Sequence, residues 1–140
     1  MRLMYDMSEA DNALYNEISV KDEKKMYVVP FDVLGDKFVN GWTVVTSKHI
    51  YCIYNGELIK KIELAECEEF STETLFVNGA FYAKINGFTT MVCRFKVAIN
   101  MPKYSLLVKV CEDLSERARN NTDPGEPVTN DTPEDRKSVV

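Results

Sequence analysis

Four of the six glycines in this chain directly follow an asparagine: Asn40-Gly41, Asn55-Gly56, Asn78-Gly79 and Asn86-Gly87. An Asn-Gly pair between two runs of alternating apolar residues is the strongest short-range signal for a β-hairpin. The favoured two-residue loop needs positive φ at both positions, which Asn tolerates and Gly prefers. "IYCIY" (50–54) and "ELIKKIEL" (57–64) flank one pair, and "AFYAKI" (80–85) and "TTMVCRF" (89–95) flank another. Each set is expected to form two antiparallel strands.

Further β-rich runs surround these hairpins. "KMYVVPF" (25–31) reads as a strand closed by Pro30. "DVLGDKFVNG" (32–41) carries turn residues and leads into "WTVVT" (42–46), and "ECEEFSTETLFV" (66–77) precedes the third Asn-Gly. In "AFYAKI", Ala80, Tyr82 and Lys84 face one way and Phe81, Ala83 and Ile85 the other, as in a sheet with one wet face. After Phe95 the period changes. Leu107, Val110, Cys111 and Leu114 fall at i, i+3, i+4 and i+7, one face of a helix. That helix is expected to start at Asn100 or Met101, with Pro102 in its first turn, and to fade near Arg119.

The order is thus six or seven short strands followed by one amphipathic helix. A bent antiparallel sheet leaves an open end that such a helix closes. The expected fold is mainly β, a pleckstrin-homology-like bent sheet or barrel over residues 25–118. A lipocalin-like closed barrel needs more strands than these residues supply. Residues 1–24 form an N-terminal arm, with a short helix expected over Ser8–Ile18, Ser8 as its N-cap and Leu14 and Ile18 as its apolar stripe. Residues 119–140, with three prolines and no aromatic side chain after Asn120, read as a disordered acidic linker.

Composition excludes several function classes. One domain accounts for 140 residues, and the formal charge of −5 opposes general affinity for nucleic acid or anionic lipid. No apolar run approaches the roughly 20 residues that cross a bilayer. Acidic residues interrupt the N-terminus where a secretory signal would be apolar. Cys52, Cys67, Cys93 and Cys111 include no C-x-x-C pair and sit among apolar residues, as buried free thiols do. Together these features indicate a cytoplasmic protein. With His49 the sole histidine, no zinc site is expected.

Three groups of residues bear on possible chemistry. His49 and Cys52 are three residues apart, so in one strand they point to opposite faces and do not form a thiolate–imidazole pair. His49 is expected to be solvated at a strand entrance. Glu63, Glu66, Glu68 and Glu69 lack the alternating oxygens and central glycine of a calcium loop and read as a solvated edge. The stretch "PFDVLGDKFVNG" offers Lys37 against Asp32 and Asp36, which disfavours phosphoinositide binding. A P-loop is lacking. No cofactor or catalytic residue is expected. Trp42, delivered by Asn40-Gly41, reads either as a core anchor or as a docking residue for a peptide or a neighbouring domain. Asn40, Gly41 and Trp42 are therefore the candidate docking surface.

"GWTVVTSKHIYCIYNGELIKKIELAECEEF" followed by "NGAFYAKINGFTTMVCRF" resembles the N-terminal accessory domain of bacterial ABC exporter-type transporters. The shared features run through Gly41-Trp42, Val44-Val45-Thr46, Tyr54, Gly56, Leu58, Ile62, Leu64, Glu69-Phe70, Gly79, Ala83, Gly87 and Arg94-Phe95 to the final helix, over about residues 26–116. The resemblance implies a non-catalytic cytosolic pleckstrin-like module ahead of a membrane domain and an ATP-binding cassette, with the other transporter domains as partners. The chain departs from that pattern by ending in the acidic stretch, without zinc ribbon, membrane helices or cassette. Two readings stay open: a fragment of a longer transporter, or a stand-alone binding protein for a peptide or small apolar ligand.

Overall fold

In the computed structural model, which describes residues 2–128, the hairpin signals produce seven antiparallel strands in one sheet. The elements are α1 (Glu9–Ile18), β1 (Lys25–Leu34), β2 (Lys37–Thr46), β3 (His49–Tyr54), β4 (Glu57–Glu63), a short 3-10 turn (Leu64–Glu66), β5 (Cys67–Leu75), β6 (Asn78–Ile85), β7 (Phe88–Lys96) and α2 (Val97–Arg119). The strand order is β4-β3-β2-β1-β7-β6-β5. The mainly β architecture with a C-terminal helix over the sheet is therefore as the sequence leads one to expect. The expectation of a disordered linker extends, for residues 129–140, outside the described residues. Residues 121–128 run back along the start of β1: the Val128 N–H donates to the Tyr27 hydroxyl at 2.7 Å and Lys24 Nζ donates to the Gly125 carbonyl at 2.9 Å.

The sheet is two half-sheets joined at a narrow seam. β1 pairs with β2 along its length but with β7 only at Val33↔Arg94. The halves close face to face: Cys52 Sγ on β3 donates to the Val92 carbonyl on β7 at 3.4 Å, and Lys60 Nζ on β4 donates to the Met91 carbonyl at 2.7 Å. The seam also explains Pro30. β1 continues through it to Leu34 rather than closing there, because the proline lies where no β7 neighbour asks for its missing N–H.

α2 closes the space between the halves. Tyr104, Leu107, Val110, Cys111 and Leu114 are buried, so the helical face read from the sequence is the one that packs. Phe95 stacks on Tyr104 with ring centroids 4.2 Å apart and planes at 5°, and Phe81 lies 5.4 Å from the same ring. Tyr104 donates its hydroxyl proton to the Pro30 carbonyl at 2.9 Å, which leaves its oxygen to accept from Thr43 Oγ1, also at 2.9 Å. All four cysteines are free and buried. Burial pushes the Cys111 thiol well up and Cys67 to about 11.

The start of α2 differs from expectation. It begins at Val97, not at Asn100 or Met101, and Pro102 is inside it. No local side chain caps it. The cap comes from β1: Asp32 accepts the Lys96 N–H at 2.7 Å and the Asn100 amide at 2.9 Å. A cap 64 residues upstream leaves no trace in the adjoining sequence.

Two of the four Asn-Gly pairs are turns and two are not. Asn55-Gly56 has φ of 54° and 75°, and Asn86-Gly87 has 52° and 81°. Asn40-Gly41 lies inside β2 and Asn78-Gly79 opens β6. A Cβ on Gly41 would come within 2.3 Å of the Phe31 ring, and one on Gly79 within 2.4 Å of the Phe95 ring. These glycines make room for a neighbour's aromatic ring on the pleated surface.

Candidate functional site

The N-terminal arm builds the site by covering the outer face of the first half-sheet. Ser8 caps α1 by accepting the Asp11 N–H at 3.2 Å, as expected. The arm's Met7 and Tyr15 then bury Val28, Val44, Tyr51 and Ile53, with Tyr5, Leu14, Ile18 and Trp42 packed around them. β2 and β3 are thus covered on both faces over most of their length, by the core on one side and the arm on the other. Asp11 ties the helix down: buried, it accepts the Gly56 N–H at 2.7 Å, so the β3–β4 turn doubles as a docking point for α1.

A second fastening is polar. The Glu23 side chain has no exposed surface, and it accepts from the Tyr51 hydroxyl at 3.0 Å, the Tyr15 hydroxyl at 3.3 Å and His49 Nδ1 at 2.7 Å. His49 is therefore not solvated. It does stand at the first position of β3, but its side chain is 12% exposed, and a buried carboxylate from the α1–β1 loop holds it. Burial first, and then the Glu23 charge and hydrogen bonds, raise both Tyr15 and Tyr51 above the ordinary phenol value. Three groups contributed by α1 and β3 converge on one carboxylate, which is what holding the arm to the sheet requires. The His49 ring is spent on Glu23, not on Cys52, whose thiol faces the core and donates to Val92.

Where the arm meets the start of α2, a groove of about 280 Å³ remains. Its walls include Tyr5 from the arm, Val39, Gly41 and Trp42 from β2, and Ile99 and Lys103 from α2. Asn40, Gly41 and Trp42, singled out from the sequence, all line it. Trp42 is neither in the main core nor free: half-buried, it packs on Tyr5 with ring centroids 6.3 Å apart and planes at 35°. Gly41 shapes the floor by admitting the Phe31 ring beneath it. Lys103 Nζ donates to Asn100 Oδ1 at 3.0 Å and lies 5.7 Å from the Tyr5 ring centroid. The groove is mostly apolar, with the Lys103 ammonium at its rim and the Asp32 carboxylate, held by Lys96 and Asn100, also in its lining.

Sequence reading missed Tyr5, Ile99 and Lys103. Tyr5 lies in the arm and Ile99 and Lys103 in the first turns of α2, far apart in sequence, and nothing in their neighbourhoods marks them. Among the described residues no group of three or more His, Cys, Asp or Glu side chains could hold a metal ion, and no helix is long and apolar enough to cross a membrane. In comparisons with known families, curated proteins and solved structures, the chain has no match.

Proposed function

We propose that this chain is a non-catalytic docking module that seats an apolar side chain of a polypeptide partner in the groove beside Trp42. The observation that carries the reading is the groove itself: the Tyr5, Phe31 and Trp42 rings, Ile99 and a lysine rim, framed by the arm, β1, β2 and α2. Its volume of about 280 Å³ falls below the range that encloses a drug-sized ligand and suits a single side chain. The space between sheet and α2 is occupied by Phe81, Phe95, Tyr104 and Leu107, which favours a peptide over a small molecule held inside. Aromatic anchors at a concave surface are the usual energetic centre of a protein interface.

With it we propose the setting that the sequence resemblance implies: a cytosolic pleckstrin-like accessory domain that docks within the assembly of an ABC exporter. The strand order with a closing C-terminal helix supports the pleckstrin-like reading, and the sequence resemblance supports the transporter setting. Reading the source gene beyond Val140 tests the setting, and a membrane domain and cassette in frame are the expected result.

Trp42 is the sole tryptophan and reports on the groove directly. Short synthetic peptides with a central Phe or Leu beside acidic residues are expected to shift its emission saturably, whereas the same peptides with Ser at the centre do not. Ile99→Glu should weaken binding by about tenfold or more. A folded protein whose Trp42 emission ignores every apolar peptide would sink the docking reading.

A further inference from the structure

The turn between β5 and β6 reaches the left-handed region without a residue that suits it. Gly35, Asn55-Gly56 and Asn86-Gly87 supply positive φ in the β1–β2, β3–β4 and β6–β7 turns, and the β2–β3 turn at Ser47-Lys48 uses none. In the β5–β6 turn the residue with φ of 59° is Phe76. A bulky aromatic side chain in the left-handed region is an outlier, and such strain collects at functional positions. Phe76 also gains nothing from packing: it is 98% exposed, and Val77 beside it is 75% exposed. The turn holds a rigid aromatic plug out into solvent at a cost in stability.

The plug stands close to the groove. The Val97 N–H donates to the Val77 carbonyl at 3.2 Å, so the turn is fastened to the first residue of α2. Ile99, two residues on, lines the groove and is itself exposed. Phe38, also exposed, lies on the other side of the same junction, with Lys96 Nζ 4.7 Å from its ring centroid. One region of the surface therefore carries both a protruding phenyl ring and a slot sized for one, with Tyr5 and Trp42 rings and the Lys103 ammonium to receive it.

We infer that the occupant of the groove is a second copy of this chain: the chain forms a two-fold dimer in which Phe76 of each protomer enters the Trp42 groove of the other. A plug and a slot near one another on one surface satisfy a two-fold axis reciprocally, which closes the assembly at two. This inference rests on the groove being the docking site and names its partner.

Sedimentation velocity of the full chain, from micromolar to near-millimolar concentration, reads the dimer. Phe76→Asn and Ile99→Glu should each raise the dimer dissociation constant by about tenfold or more. Phe76→Asn suits a left-handed turn position, so it should also raise the thermal midpoint of the monomer by a few degrees. Stability and association then move in opposite directions, which excludes misfolding as the cause of dissociation. Mixing the two variants is the sharper arm. One intact plug meets one intact slot only in the mixed pair, so the heterodimer should be tighter than either variant's homodimer. A wild-type chain that stays monomeric, a dimer indifferent to both substitutions, or a mixture no tighter than its parts would each overturn the inference. So would a monomer that binds phosphatidylcholine–phosphatidylserine vesicles through Phe76, since the plug would then face lipid. If peptides shift Trp42 emission while the chain stays monomeric, the groove reading stands and only the dimer falls; if neither occurs, both fall.

Discussion

Gly41→Ala adds a single methyl group to a strand, a change that ordinarily stabilises by limiting the unfolded chain by about 0.4–1 kcal/mol. Here it should do the reverse. The added Cβ would lie 2.3, 2.4 and 2.7 Å from three atoms of the Phe31 ring, where ordinary contact begins near 3.4 Å, so the ring must retreat by about 1 Å. Phe31 is buried in the main core and also floors the groove, so its retreat must disturb core packing or fill part of the groove. Overpacking of this kind costs about 1–3 kcal/mol, so after the entropic gain the net loss should be about 1–2 kcal/mol. Urea unfolding followed by far-ultraviolet circular dichroism measures it, with Trp42 fluorescence as a second probe. The decisive measurement is a double-mutant cycle with Phe31→Leu. Once the ring is gone, Gly41→Ala should be neutral or mildly stabilising, a coupling of about 1 kcal/mol or more between the two sites. If Gly41→Ala stabilises the wild-type background, or costs the same in both, the account of why glycine stands at position 41 is wrong.

Two further predictions follow from the buried polar groups. Glu23→Gln removes the charge that His49, Tyr15 and Tyr51 share, and should cost about 2–3 kcal/mol. Hydrogen exchange in α1 should accelerate before that in β5–β7; uniform acceleration, or a loss below about 0.5 kcal/mol, would show that Glu23 does not fasten the arm. Stability should fall at alkaline pH. The Cys67 thiol rises from 9.0 to about 11 on folding, mainly by burial, so between those values the unfolded chain has lost a proton that the folded chain keeps. The contribution is whole below pH 9 and is lost as pH rises through 11. Cys67→Ala should make that part of the urea-midpoint profile shallower, the other buried thiols such as Cys111 supplying the remaining slope, and an unchanged profile would refute the assignment.

How much of this molecule the sequence determines can be read from its Asn-Gly pairs. Asn55-Gly56 and Asn86-Gly87 are turns because a two-residue hairpin asks for positive φ locally, and the flanking strands and the apolar face of α2 announce themselves by period alone. Those signals suffice for six or seven short strands, a closing helix, an N-terminal helix capped by Ser8 and four buried thiols. They also place Trp42 at a surface of interest, since Asn40, Gly41 and Trp42 do line the groove.

Tertiary structure decided the rest, wherever the partner is distant in the chain. Asn40-Gly41 and Asn78-Gly79 carry the same dipeptide as the turns, yet lie in strands because Phe31 and Phe95 need the space a side chain would fill. The first turn of α2 forms at Val97 because Asp32 caps it from β1. His49 is buried because Glu23 reaches it from beyond α1, and the groove exists because the arm's Tyr5 and Ile99 of α2, far apart in sequence, both wall it. A backbone preference is a property of one or two adjacent residues and is written where they stand. A packing contact or a borrowed cap belongs to two segments at once, and neither segment alone carries its trace.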